Sequence, residues 1–530
     1  MIIRSGKMRG LGIDEPLRHE NHKRPVTRRD FLAQGFTTGV GTVVAPTLLG
    51  AMAFPQWAQA ALSGAVNKLA TDPKALGGCE ITPGAGMVPC ICFDLAGGAN
   101  IAGSNVLVGA DTQLDLLSTA GYTKLGIPGS MDPNTAGAAG ATFIDQTLGL
   151  AFHSDSAFLR GINSKISATT ALGCNGVVIP ARSENDTSNN PHNPMYGIAK
   201  AGAKGELLSL IGSSNSDSGG NSMAPAMMID PTLRPTKVDR TSDATGLVDV
   251  GDLSTLFPGA TGQADTRAVM ETIAMVSKQK FDKPEVTTLL ADDAEAKRLA
   301  SCAYIKTAYQ ADKFATGPDV VNPTKDTLIT GGTTPIFSMT DFSDTEFNKT
   351  AAIMKLVIGG FAGAGTIAMG GFDYHTGDRM TGEKRDFRAG QCMGACLEYA
   401  ARLGVPLMLY VFSDGSLNSN GMIDNSVDGR GKCVWTGDNQ STACSFILVY
   451  KPGGVRPAVL RNQIGKFNIT GDINTSSSPA ANAVNLLVET VILNYMAANG
   501  IEGTFQTVFP MTGLSTAQIG NVLALTNLKA

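Results

Sequence analysis

The chain has 530 residues, of which 43% are hydrophobic and 17% charged, with 62 glycines and a formal net charge of −4. Such a length supplies a large core and room for more than one domain, and the balance of apolar to charged residues excludes a disordered chain. The weakly acidic charge excludes a basic nucleic-acid-binding surface.

Taken from its start, the chain places Arg28-Arg29 in "RPVTRRDFLAQGF" ahead of a weakly apolar run from Phe31 to Phe54, with "AQA" at Ala58 to Ala60. Gly39, Gly41, Pro46 and Gly50 interrupt the run and argue against a folded helix. This stretch resembles a twin-arginine export signal over residues 1–60, followed by a small-residue cleavage site. The resemblance implies a twin-arginine translocase as partner during export, a mature chain starting near Ala61, and a periplasmic or extracellular location. Residues 61–530 then carry 34 basic against 42 acidic residues, a net charge near −8, which leaves no nucleic-acid partner. No later run is long and unbroken enough to span a bilayer, since "KLVIGGFAGAGTIAMGGF" is interrupted by glycines and meets charges at its end.

In the mature part, "MVPCICFDLAGGAN" (Met87 to Asn100) reads as a buried strand entering a Gly97-Gly98 turn. Ala151 to Ile166 reads as a helix, "GVVIPARS" as an extended piece, and "SENDTSNNPHNPMYGI" as loop. Residues 205 to about 345 repeat apolar residues at helical spacing among charges and predict a largely helical insertion or cap within one 61–530 domain. After it, "NKTAAIMKLVIGGFAGA" predicts a helix, "GTIAMGG" a strand, "GGFDYHTGDR" a loop, "KRDFRAGQCMGACLEYAARLG" a second helix and "VPLMLYVF" a strand covered on both faces. This βαβ unit predicts two parallel, neighbouring strands, with Asp373, His375, Ser413 and Asp414 just past their C-terminal ends, where open α/β sheets place their sites. If the next strand, "CSFILVY", runs antiparallel, Asp438 returns to the same edge. "AANAVNLLVETVILNYMAANG" predicts a C-terminal helix.

The nine cysteines all lie beyond residue 60. Cys433 and Cys444 flank a Gly-containing loop and are the preferred disulfide pair, with two free thiols as the alternative. No pair of CxxC motifs supports a Cys-only zinc site. On the second helix, Cys392, Cys396, Tyr399 and Leu403 form one stripe, read as core.

"RRDFL", "ICFDLAGGAN", "GGFDYHTG", "VFSDG" and "GDNQST" occur in an order that resembles the bacterial family catalogued as domain of unknown function 1501, which is related to sulfatases and alkaline phosphatases. The resemblance spans most of residues 85–500. It implies a three-layer αβα sandwich with a mostly parallel central sheet, and divalent metal held by Asp and His at the C-terminal sheet edge. Carboxylates and imidazoles suit a hard or borderline cation that screens an anionic ester.

Carried across residue by residue, Asp373 and His375 match the Asp/His loop. Asp414 matches the acid of a strand-end Ser-Asp-His-Gly whose histidine is replaced by Gly415, and Asp438 matches a later acid followed by Asn439 rather than histidine. Ala99 and Asn100 stand where the first glycine turn would carry an acid, and Asp94 lies earlier, inside the strand. With His153 read as packing or capping a helix, His192 is the remaining imidazole for the site. The expected ligands of one divalent ion are therefore Asp373, His375, Asp414, Asp438 and His192. Ser104 and Ser413 are the candidate nucleophiles, neither with an evident base. Two readings follow. One is an exported, atypical metal-dependent hydrolase of phosphate or sulfate esters with a degenerate site. The other is a non-catalytic periplasmic or surface binding or assembly protein, contacting a small anionic ester or a surface polymer, that keeps the fold without the metal cluster.

Overall fold

Seven strands assemble into one sheet in the computed structural model of the chain, which describes residue 63 and residues 86–136, 140, 142–183, 190–248, 262–283, 293–314 and 317–529. The export signal expected over residues 1–60, and Cys79, lie outside the described residues. The strands are β1 (Cys90–Leu95), β2 (Cys174–Pro180), β3 (Leu208–Gly212), β4 (Thr236–Lys237), β5 (Ala362–Met369), β6 (Leu407–Phe412) and β7 (Cys444–Tyr450). Their order across the sheet is β2-β7-β6-β1-β5-β3-β4. β1 runs parallel to both β5 and β6, and β3 parallel to β5 and β4. β7 alone is reversed, antiparallel to β6 and β2. β1, β2, β5, β6 and β7 are buried along their whole length, and for that reason they read as continuous apolar runs rather than as alternations.

The principal helices are α1 (Ala157–Asn163), α2 (Met195–Lys200), α3 (Thr345–Ile358), α4 (Met380–Leu403) and α5 (Val484–Ala498). α2 and α5 cover one face, where Met195, Ile198, Leu487, Val491 and Tyr495 pack on Cys90, Cys92, Met408 and Tyr410. α1, α3 and α4 cover the other. There Gly365 of β5 leaves room for Ile353 and Val357 of α3, and Phe158 of α1 meets Phe446 of β7. α1 and α4 come close because glycines face each other: a Cβ on Gly161 would stand 2.2 Å from Phe387 O, and one on Gly390 2.3 Å from Phe158 O. The three layers form the expected αβα sandwich. Cys392, Cys396 and Tyr399 of α4 are fully buried, as a core stripe requires.

Two expectations need correction. β5 and β6 are parallel but not neighbours, because β1 lies between them and pairs with both. The stretch 205–345 is not one helical insertion, since it supplies β3 and β4 to the sheet. Of this region, only residues from Val250 to Thr316 belong to a separate compact unit. Its described part is a pair of helices, Gly262–Phe281 and Asp293–Lys313, packed on each other, with Cys302, Ile305 and Tyr309 buried on one stripe. Cys302 is disulfide-bonded. Cys433 and Cys444, the preferred pair, are both free and buried. Among the described residues, no helix is long and apolar enough to cross a membrane.

Candidate metal centre

The segment leaving β5 alternates in burial: Phe372 and Tyr374 are buried, whereas Asp373 and His375 face outward. Period-two alternation is what an extended chain produces, and it puts the carboxylate and the imidazole on the same side. The loop that follows is stitched to residue 435, with Gly377 N–H donating to Trp435 O at 3.0 Å and Trp435 N–H to Asp378 O at 3.2 Å. Trp435 is fully buried and lies against the Arg379 guanidinium, 4.5 Å from the ring centroid. Three residues on, Gly437–Asp438 pairs antiparallel with Leu417–Asn418, the chain just past β6. The approach to the reversed β7 thereby delivers Asp438 beside His375.

The result is a compact donor set. His375 Nε2 stands 2.8 Å from Asp373 Oδ1 and 3.9 Å from Asp438 Oδ1. One donor atom from each of the three residues falls within 4.8 Å of the others. Their side chains are 60%, 37% and 34% exposed, so the group opens to solvent at the rim of the sheet. Gly97 of the first turn lets the loop approach: its φ is +118°, and a Cβ there would lie 2.9 Å from Asp373 N. Gly415 is equally confined, since a side chain would meet Gly97 O at 2.9 Å and Gly98 Cα at 3.0 Å.

The other expected ligands sit apart from this trio. Asp414 is fully buried; its Oδ1 accepts the Gly97 N–H at 2.7 Å and its carbonyl accepts Asn190 Nδ2 at 2.6 Å. His192 is buried and stacked on Phe412 with ring centroids 6.0 Å apart, and among the described residues neither ring nitrogen has a hydrogen-bond partner. Burial pushes its imidazole down to about 4, against the opposing pull of Asp414. Asp94 points into the interior, where it accepts Asn221 N–H, Ser222 N–H and Ser222 Oγ, each at 2.8 Å. Burial raises its carboxyl to about 6; the Ser222 bonds work downward and the Asp414 carboxylate adds to the rise. His153 is a satisfied core histidine, with Nε2 3.0 Å from Met131 O and Nδ1 accepting Asp155 N–H.

Both candidate nucleophiles are engaged in holding turns. Ser104 Oγ is fully buried and donates to Asn100 Oδ1 at 2.6 Å. Ser413 Oγ donates to Leu95 O at 2.7 Å and accepts Ala99 N–H at 2.9 Å, so it ties the glycine turn after β1 to the end of β6.

Sequence reasoning missed the charges on the inner side of α4. Glu383 accepts Arg379 Nη2 at 2.9 Å and Lys432 Nζ at 2.9 Å in the interior, and the half-buried Arg160 Nη2 at 2.6 Å. Burial works against its ionisation, yet Lys432 and Arg379 hold its carboxyl below the usual range. One turn on, Asp386 accepts the Tyr374 hydroxyl at 2.9 Å and Asn105 Nδ2 at 2.7 Å. The available signal was that both acids fall on the helix stripe shared by Gly382, Ala389, Gly390 and Met393, which is the buried one. No protein-family model and no curated protein sequence matches the chain.

Proposed function

We propose that Asp373, His375 and Asp438 hold one divalent cation at the sheet rim, and that this exported protein uses it to act on a phosphate or sulfate ester. The observation that supports the reading is the convergence of two carboxylates and one imidazole from two separate chain segments within 4.8 Å. Two oxygens and one nitrogen suit a hard or borderline ion such as Mn2+ or Zn2+ and leave coordination positions for solvent or ester. When bound, such an ion supplies positive charge to an anionic ester and lowers the pKa of water. His375 Nε2 and Asp373 Oδ1 stand 2.8 Å apart, close enough for both to face one ion. Because Ser104 and Ser413 are committed to turn-holding bonds, the reading gives attack to water rather than to either hydroxyl. The pattern at Arg28-Arg29 supports export, and the disulfide at Cys302 suits an oxidising compartment.

A second reading, a non-catalytic binding protein, is favoured by the same two serines, which leave no evident nucleophile. The test is metal content and Mn2+ titration of the purified protein, beside His375→Ala and Asp438→Asn. A near-stoichiometric ion whose affinity falls by more than about a hundredfold in both variants supports the site, because loss of an outer partner alone costs ten- to a hundredfold. Less than about a tenth of an ion per chain, with no Mn2+ binding, overturns it. Bound metal without turnover of 4-nitrophenyl phosphate or sulfate selects the binding protein.

A further inference from the structure

We propose that Tyr374 and Asp386 are positioning residues that set the spacing of the Asp373/His375 pair from behind; the assignment rests on the metal reading of that pair. Tyr374 is the residue between the two donors. Its ring is buried while theirs face out, so whatever fixes the ring fixes the direction of both neighbours.

The hydroxyl of Tyr374 closes a ring of hydrogen bonds. It accepts Asn100 N–H at 2.9 Å and donates to Asp386 Oδ1 at 2.9 Å. Asp386 Oδ2 accepts Asn105 Nδ2 at 2.7 Å, and the same Nδ2 donates to Asn100 O at 2.8 Å. With the Asp386 carboxyl ionised, the donor and acceptor roles permit no alternative arrangement. Asn105 Oδ1 is taken by Ser156 Oγ at 2.9 Å and Phe158 N–H at 3.1 Å, so the amide cannot flip. Asn100 N–H fills one side of the tyrosine oxygen, so its proton must go to Asp386. The circuit joins the turn after β1, the start of α1, the buried side of α4 and the donor loop, all fully or almost fully buried.

Asp386 is therefore needed as an acceptor on both oxygens. An asparagine there presents an NH2 either to Asn105 Nδ2, donor against donor, or to Tyr374, whose proton then has no acceptor. A phenylalanine at 374 keeps the ring and removes the link. A cation gathers three donors only at a fixed spacing, and outer partners that orient ligands contribute ten- to a hundredfold to affinity.

The experiment is Mn2+ titration of the full chain by calorimetry, with Tyr374→Phe and Asp386→Asn. Glu398→Gln serves as control, since it weakens an ion pair to Arg402 (3.0 Å) towards the other end of the same helix. The expected result is a Kd raised about 10- to 100-fold in the first two variants and unchanged in the control. Wild-type affinity in Tyr374→Phe, or in Asp386→Asn should the former not fold, overturns the assignment. If the wild type binds no Mn2+, the metal reading is what fails. The support is then read from hydrogen exchange at the Gly377 amide, whose bond to Trp435 O closes the same loop. Exchange at least about tenfold faster in Tyr374→Phe, but not in Glu398→Gln, upholds the positioning role; equal rates overturn it.

Discussion

Replacing His192 by phenylalanine tests whether this imidazole is a buried neutral ring or a ligand. Its ordinary pKa of 6.5 is pushed by burial to about 4, so the fold prefers the uncharged ring. A lowered histidine contributes stability that is present above pH 6.5 and is lost as pH falls through 4, because the unfolded chain takes up the proton first. The full difference of 2.5 units corresponds to about 3.4 kcal/mol, of which about 1.8 kcal/mol is lost between pH 7 and pH 5. Phenylalanine cannot titrate. His192→Phe should therefore lose about 1.8 kcal/mol less than the wild type over that interval, whatever pH-independent offset the change of ring brings. Urea unfolding at the two pH values, followed by the fluorescence of the fully buried Trp435, measures this directly. Parallel losses, equal within about 0.5 kcal/mol, would refute the reasoning and mean that the ring is protonated or paired in the native state. Mn2+ affinity should be unchanged, since neither ring nitrogen belongs to the converging trio.

Three further outcomes follow from the geometry. Ser413→Ala strands the Ala99 N–H and should lower stability by about 1–3 kcal/mol without abolishing turnover per folded molecule, as thermal melting and assay together show; lost turnover at an unchanged Tm would restore Ser413 as nucleophile. Gly97→Ala places a Cβ 2.9 Å from Asp373 N at a φ of +118°, which should cost about 1–3 kcal/mol and weaken Mn2+ binding, whereas Gly370→Ala, open to solvent, should do neither. Asp386, raised by burial from 3.8 to about 7, contributes stability that is present below pH 3.8 and lost as pH rises through 7; relative to Asp386→Asn the wild type should lose about 2–3 kcal/mol between pH 5 and pH 8 in urea unfolding.

The elements around the rim were legible because they are long and strongly patterned. The apolar runs of β5 and β6 and the 3.6-residue stripe of α4 leave little choice of structure. Strand order was not legible, because β1 enters between β5 and β6 from some 270 residues away, and no local signal carries such a pairing. β3 escaped notice as five residues beside a Ser- and Gly-rich loop. At the site, sequence placed Asp373, His375, Asp414 and Asp438 near one edge but could not give their directions. Asp414 turns inward because the Gly97 N–H donates to its carboxylate, and that amide is available only once β1 and β6 are paired. The role of Asp386 was hidden in the same way, since an acid on a buried stripe makes sense only when its partners arrive from Tyr374 and Asn105.

The reversed direction of β7 governs how the rim is completed. A parallel strand would send its exit towards this edge; β7 offers its entrance, so Asp438 reaches the rim before its strand begins, while Asp373 reaches it after β5 has ended. Between the two lie α4, β6 and a loop, roughly 60 residues whose ends must be brought together. No contiguous peptide shorter than that holds all three side chains. A fragment ending at β6 would carry Asp373 and His375 and lack Asp438, so on the proposed metal reading ion capture would be a late, all-or-none sign that the sheet has closed.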